Sequence, residues 1–223
     1  MKERPIICSG HSVRAILAGT KTQTRRICSR AIDHGGEMAK SIHPDGAGSG
    51  WIAWFGPFEV SAEETAKIYP SACGFLPPHG AKGYWLWVRE AWGITKGNGI
   101  RTIYRADGEQ PFGLDGTQVI GPMKWGSPMF MPRRASRIDL EITGVRVERL
   151  QDITEADAVA EGMQFHDGNG VGHSGWRHDV NHGFVYPSAR EAFAQAWDSI
   201  NQKRAKWYSN PWVWVYEFRR VKP

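Results

Sequence analysis

Between Ser136 and Leu150 apolar residues fall on every second position, at Ile138, Leu140 and Ile142, then again at Val145 and Val147 after a break at Gly144. Such alternation commits the segment to a long strand with one buried face, and the break at Gly144 predicts a bulge. Trp212 to Phe218 repeats the pattern near the other end of the chain, and Gly83 to Trp92 places Tyr84, Leu86 and Val88 on one face and Trp85, Trp87 and Arg89 on the other. Pro5 to Cys8, Trp51 to Phe58 and Ile100 to Arg105 read as further short strands. With 11 Trp, 26 Gly and 13 Pro in 223 residues, the chain is built for short strands, many turns and bulky aromatic packing.

Helices are fewer. Val13, Ile16 and Leu17 recur at helical spacing behind two candidate N-caps, Ser9 and Ser12, and Gly19 is placed to end the helix in a left-handed turn. Thr154 followed by acids predicts a second helix from Glu155 through Ala160, stopping at Gly162. Ser188 to Ile200 is amphipathic, with Ala192, Phe193, Ala196 and Trp197 inward, and Ala62 to Tyr69 reads as one more short helix. Asp33 to Gly50 and Gln164 to Pro187 lose all period and turn rich in Gly and His, which marks them as loop insertions, and Asp107 to Gly126 is also loop. No repeat or linker divides the chain. The reading is a single α+β domain over 1–223, a small β-barrel decorated by about three short helices, with insertions near 33–50 and 164–187.

Net charge of +5 and a pI near 9.2 favour an anionic partner, nucleic acid being the commonest, although a mildly basic enzyme fits the same figures. Three cysteines, Cys8, Cys28 and Cys73, without CxxC spacing argue against a disulfide framework. No signal-like opening and no apolar run near bilayer length is present, so a reduced, cytoplasmic protein with no membrane partner and no obligate protein partner is expected.

The run Ile16-Leu17-Ala18-Gly19-Thr20-Lys21-Thr22-Gln23-Thr24-Arg25-Arg26 resembles the opening signature of the ASCH-domain family, PUA-like barrels linked to RNA. Trp87-Val88-Arg89-Glu90, the segment 131–137 and Pro211 to Phe218 resemble the larger, often phage-associated members, so the resemblance spans most of the chain outside the two insertions. Small bacterial members are amidohydrolases that remove the acetyl group of N(4)-acetylcytidine, and their Lys-Thr-x-Thr segment falls on Lys21, Thr22 and Thr24, their carboxylate on Glu161. The resemblance thus implies a PUA-like barrel, Thr24 as nucleophile, Lys21 as its activator, Glu161 as third member, no cofactor, and an acylated pyrimidine nucleoside as substrate. Other relatives bind or cleave RNA, which leaves an RNA-binding module as the alternative.

Amide hydrolysis needs a nucleophile, a proton acceptor, a donor for the leaving amine and a partner for the oxyanion. Lys21 and Thr24 meet readily in a turn but point apart in an ideal strand, so the chemistry asks for a helix-to-strand transition between Gly19 and Thr24. Two assignments stay open. Either Lys21 is held neutral by burial or by Arg25 and Arg26 and takes the Thr24 proton, or Glu161 takes it while charged Lys21 polarises the carbonyl and protonates the leaving amine. A polar run after a helix is equally what a solvated turn looks like, and a Glu before Gly162 what a helix end looks like.

Arg25, Arg26, Trp87 and Glu90 are the candidate substrate-binding residues, with an Arg–Glu structural pair as the plainer reading of Glu90. Trp85 with Trp87, and Trp212 with Trp214, offer either base stacking or core packing. Arg133, Arg134 and Arg137 are the candidate nucleic-acid contacts, joined by Lys203, Arg204 and Lys206, or else solvated faces. His178 and His182 stand at HxxxH spacing beside His166 and His173, but Gly and Asn around them argue for loop and no carboxylate or Cys set completes a site, so no metal is expected.

Overall fold

A computed structural model of the chain describes residues 2–28, 38–44, 51–55, 77–97, 99–108, 125–168, 173–178 and 184–221. In chain order the regular elements are β1 (Glu3–Ile7), α1 (Gly10–Leu17), β2 (Gln23–Ile27), β3 (Met38–Pro44), β4 (Trp51–Phe55), β5 (Trp85–Arg89), β6 (Trp92–Gly97), β7 (Gly99–Tyr104), β8 (Asp139–Arg149), α2 (Glu155–Ala160), β9 (Gln164–His166), β10 (Gly175–Arg177), α3 (Ala189–Asn201) and β11 (Trp212–Arg220). The expected helix over Ala62 to Tyr69 and most of the loop from Asp107 to Gly126 lie outside the described residues.

The architecture is mixed α+β with a mostly sheet core. Five strands run in the order β1-β5-β8-β11-β2, parallel only between β1 and β5. This sheet is open, with β1 and β2 at its edges. Side chains reach across the gap instead of a ladder: Arg26 Nη2 on β2 donates to the Ile7 carbonyl on β1 at 2.7 Å. α1 connects the same two edges, and its Val13 and Ile16 pack into the core that fills the concave face.

β11 explains the two-sided packing. Its Trp214, Tyr216 and Phe218 join Ile6, Leu86, Leu140 and Ile142 in one core, while Val213 and Val215 face α2 and α3 in a second. A strand buried on both faces reads as the near-continuous apolar run seen at 212–218. On the second face α3 buries Ala192, Phe193, Ala196 and Trp197 as its spacing predicts.

The expected bulge is present. Glu217 pairs with Gly144 and Phe218 with Ile142, so Thr143 is the extra residue in β8. Its effect reaches the site. The bulge keeps Val145 and Val147 on the side of Leu140 and Ile142, and it thereby turns Arg146 and Glu148 to the opposite side, level with Val215 and Val213.

Two segments read as irregular carry short strands. Met38–Pro44 pairs antiparallel with β4, and Gln164–His166 pairs with Gly175–Arg177 inside the second insertion. β6 and β7 form a further hairpin.

Candidate functional site

Six polar or charged residues among those described are buried: Lys21, Gln23, Thr24, Arg25, Glu90 and Glu161. Four of them come from the polar run after α1. Burying such groups is costly unless they are paired, so their partners define the site.

Two helix ends place the central pair. α1 closes with Gly19 at φ 76° and the Thr20 N–H returning to the Ala15 carbonyl at 3.0 Å. α2 closes in the same way, with Gly162 at φ 98° and the Met163 N–H on the Ala158 carbonyl at 3.2 Å. The two turns abut, since a Cβ on Gly162 would lie 3.0 Å from Ala15 Cβ and 3.4 Å from Lys21 Cβ. Only glycine serves there, for its backbone freedom and its lack of bulk. The chain leaving α1 then bridges α2 directly, with the Thr22 N–H on the Ala160 carbonyl at 2.8 Å and Lys21 paired with Glu161.

Lys21 Nζ donates to Glu161 Oε2 at 2.6 Å and to the Glu161 carbonyl at 2.7 Å. The second contact sets a cation on the C-terminal end of α2, where the helix dipole favours it. An ammonium has three N–H donors. Two are spent on Glu161, and the third has no acceptor among the described residues. Glu161 Oε1 is held separately by Arg25 Nη1 at 3.2 Å.

Arg25, expected to bind substrate, is instead enclosed. Its side chain is 0% exposed, and its guanidinium contacts Glu161, Asp157 (3.4 Å) and Glu148, to which both Nε and Nη2 donate, while the Phe193 ring lies 5.8 Å away. Behind it Arg146 donates to Glu148 Oε2 (2.9 Å), Asp157 (3.1 Å) and Glu217 (2.5 Å). Gln23 completes the layer through Asp157 Oδ1 at 3.0 Å. The charges alternate from the surface inward: Arg146, Glu148, Arg25, Glu161, Lys21.

Thr24 stands on the other face of β2. It pairs across the sheet with Tyr216, which belongs to the core of the concave side, whereas Arg25 pairs with Val215. Its hydroxyl makes no hydrogen bond to Lys21 or Glu161. β2 is an edge strand, however, so the ion pair and Thr24 lie on two sides of one open margin. Burial pushes up the thiol of Cys8, which lies in the core that Thr24 faces, against the charge of Arg26.

Two groups on the Tyr216 side of the sheet carry no signal in the sequence. Tyr216 is fully buried, and its hydroxyl accepts the backbone N–H of His79 at 3.3 Å. His79 donates from Nδ1 to the Pro5 carbonyl at 3.2 Å and stands edge-on to the Tyr216 ring. Burial, then the Arg26 guanidinium, pushes the imidazole down to about 4, while burial pushes the Tyr216 phenol up. At neutral pH both are uncharged. His79 lies in a Pro-Pro-His-Gly turn that carries no periodic signal.

The other candidates are placed elsewhere. Glu90 is 1% exposed and both its oxygens bind Arg137, at 2.9 and 3.0 Å; Arg137 also grips Asp107 and lies 3.9 Å over the Tyr104 ring. Burial raises the Glu90 carboxyl against the pull of Arg137. Arg133 is paired with Glu3 and Asp139 at 2.8 and 2.9 Å, so of the three expected nucleic-acid contacts Arg134 alone is exposed and without an ion pair among the described residues. Lys203, Arg204 and Lys206 are exposed. Trp87 is half-buried with the Arg89 guanidinium 4.5 Å over its ring, Trp212 lies under Arg149, and Trp214 is core. His178 stands 5.9 Å from His11, His182 is outside the described residues, and no cluster of three or more potential metal ligands occurs among the described residues.

No helix among the described residues is long and apolar enough to cross a membrane. The chain matches no protein-family model, no curated protein and no solved structure.

Proposed function

We propose that the protein is an amide hydrolase that removes the acyl group from an N-acylated cytosine nucleoside such as N(4)-acetylcytidine. The observation that carries this reading is the buried contact between Lys21 and Glu161, drawn from 140 residues apart to the margin of the strand that holds Thr24. In the reaction the Thr24 hydroxyl attacks the acyl carbon, and because it stands on the face of β2 opposite Arg25 its proton reaches Glu161 through water at the open margin. The third N–H of Lys21 meets the oxyanion, the carbon–nitrogen bond breaks as the proton taken up by Glu161 passes by way of Lys21 to the departing amine, and water then hydrolyses the Thr24 ester. Of the two assignments for Lys21, the donor is preferred, because its Nζ already donates to Glu161 Oε2 at 2.6 Å and to the Glu161 carbonyl at 2.7 Å.

The open sheet, whose edges Arg26 bridges and α1 spans, supports reading it as part of a PUA-like barrel. A reducing, cytoplasmic setting suits Cys8 and Cys28, both buried thiols. An RNA-binding module is the weaker reading, since Arg133 and Arg137 are already taken by carboxylates.

The test is release of cytidine from N(4)-acetylcytidine by the purified protein, with Thr24→Ala as control. Turnover lost in Thr24→Ala is the expected result; no turnover, or turnover unchanged in the variant, refutes the proposal. Lys21→Arg should retain more activity than Lys21→Met if Lys21 is the charged donor, and equal loss in both would refute that role.

A further inference from the structure

We propose that Arg25 is a positioning residue that acts through Glu161, and that Glu148 and Arg146 behind it hold Arg25 in turn. This rests on the hydrolase reading for its catalytic consequence, but the positioning itself is a matter of geometry. Glu161 has two oxygens, and the structure divides them: Oε1 to Arg25 and Oε2 to Lys21. Were Arg25 absent, the carboxylate could rotate, and Lys21 would lose the direction in which its third N–H points.

Arg25 is suited to that task and to no contact with substrate. Its side chain has no exposure, and its three nitrogens are distributed between Glu161 on one side and Glu148 with Asp157 on the other. A lysine carries the same charge but not the planar fork, so it cannot hold Glu148 and Glu161 at once. Glu148 is fixed from behind, its Oε2 on Arg146 Nε. It reaches Arg25 only because the bulge at Thr143 turns Arg146 and Glu148 to that side of β8. The bulge, the two acids and the two arginines form one device whose output is the orientation of Lys21.

Two variants test this, Arg25→Lys and Glu148→Gln, each read in two ways. The first readout needs no substrate: competitive labelling of lysines with acetic anhydride, followed by mass spectrometry. In the native protein Lys21 should label slowly. In either variant its labelling should rise at least about fivefold while the exposed Lys203 and Lys206 stay constant, which also shows that the fold is intact. The second readout is kinetic, on N(4)-acetylcytidine. A positioning role lowers kcat by roughly tenfold to a hundredfold with little change in KM, because a displacement of about 1 Å costs that much.

The double variant should be no worse than Arg25→Lys alone, since both changes cut one chain of contacts. Lys21 labelling that stays at the native rate in both folded variants overturns the proposal, as does additivity in the double variant. If Arg25→Lys unfolds and every lysine labels faster, Glu148→Gln decides alone by the same criterion. Should the native protein fail to turn over N(4)-acetylcytidine, the hydrolase reading falls while the labelling result still judges the positioning role.

Discussion

Replacing Glu161 by glutamine tests the charge network at its centre. The change preserves size and backbone, so the contact from Lys21 to the Glu161 carbonyl can survive. What it removes is the anion shared by two cations. One carboxylate oxygen becomes an NH2 group, which must face either Lys21 Nζ or Arg25 Nη1, and both are donors. Lys21 and Glu161 side chains are 5% and 4% exposed, so water cannot make good the loss. Breaking a buried pair by removing one partner costs about 3–5 kcal/mol, and the surviving hydrogen bond puts Glu161→Gln at the lower end, about 3 kcal/mol. In a chain of 223 residues that corresponds to a fall in Tm of roughly 6–12 °C. Urea denaturation at pH 7 measures it directly, with an unchanged slope showing that the folded state has kept its extent. Because the pair is buried, raising the salt should alter the difference little. The double change Lys21→Met with Glu161→Met should recover much of the loss, since it leaves no uncompensated charge. A cost below about 1 kcal/mol, the worth of a solvated surface pair, would refute the reasoning.

His79 and Arg137 carry the pH predictions. The His79 imidazole is held at about 4 in the fold and titrates near 6.5 unfolded, so between those values only the unfolded chain takes up its proton. The contribution of neutral His79 is complete above about pH 6.5 and is lost as the pH falls toward 4. His79→Gln should therefore lose less stability than the native protein between pH 7 and 4.5, and parallel denaturation midpoints would refute this. Arg137→Met strands the buried Glu90 carboxylate at a cost of about 3 kcal/mol at neutral pH. Burial already raises that carboxyl, so protonation can relieve the strain in acid; the cost should be smaller at pH 5 than at pH 8, and an equal or inverted difference counts against it.

Much of the frame was legible because it rests on local rules. Ser9 and Gly19 bound α1, Thr154 and Gly162 bound α2, and Gly144 marks the bulge, each through backbone demands that a few residues express. That Lys21 and Glu161 belong together is an implication of the family resemblance alone, with no local pattern behind it. The enclosure of Arg25 carries no such signal, because it depends on strand parity. Once Gln23–Ile27 is a strand, Arg25 and Thr24 part to opposite faces, and the acids that meet Arg25 come from β8 and α2. The hairpin of β9 and β10 escaped for a different reason: strands of three residues are too short to show a period. Tyr216 reads as one more aromatic in an apolar strand, and its polar end acquires meaning only through His79, far away in sequence.

The pairing of Thr24 with Tyr216 has a consequence for biosynthesis. The strand that carries Thr24 finds its ladder partner 192 positions later (216 − 24), which at about 5–20 residues per second is a wait of roughly 10–40 seconds. An apolar strand left unpaired for so long would invite aggregation. The run from Thr20 to Arg26 has no such liability, being polar throughout, and can rest in water until the C-terminal strand emerges. Four of those side chains, Lys21, Gln23, Thr24 and Arg25, are the ones the finished fold buries at such expense, and before it closes they keep the nascent edge soluble.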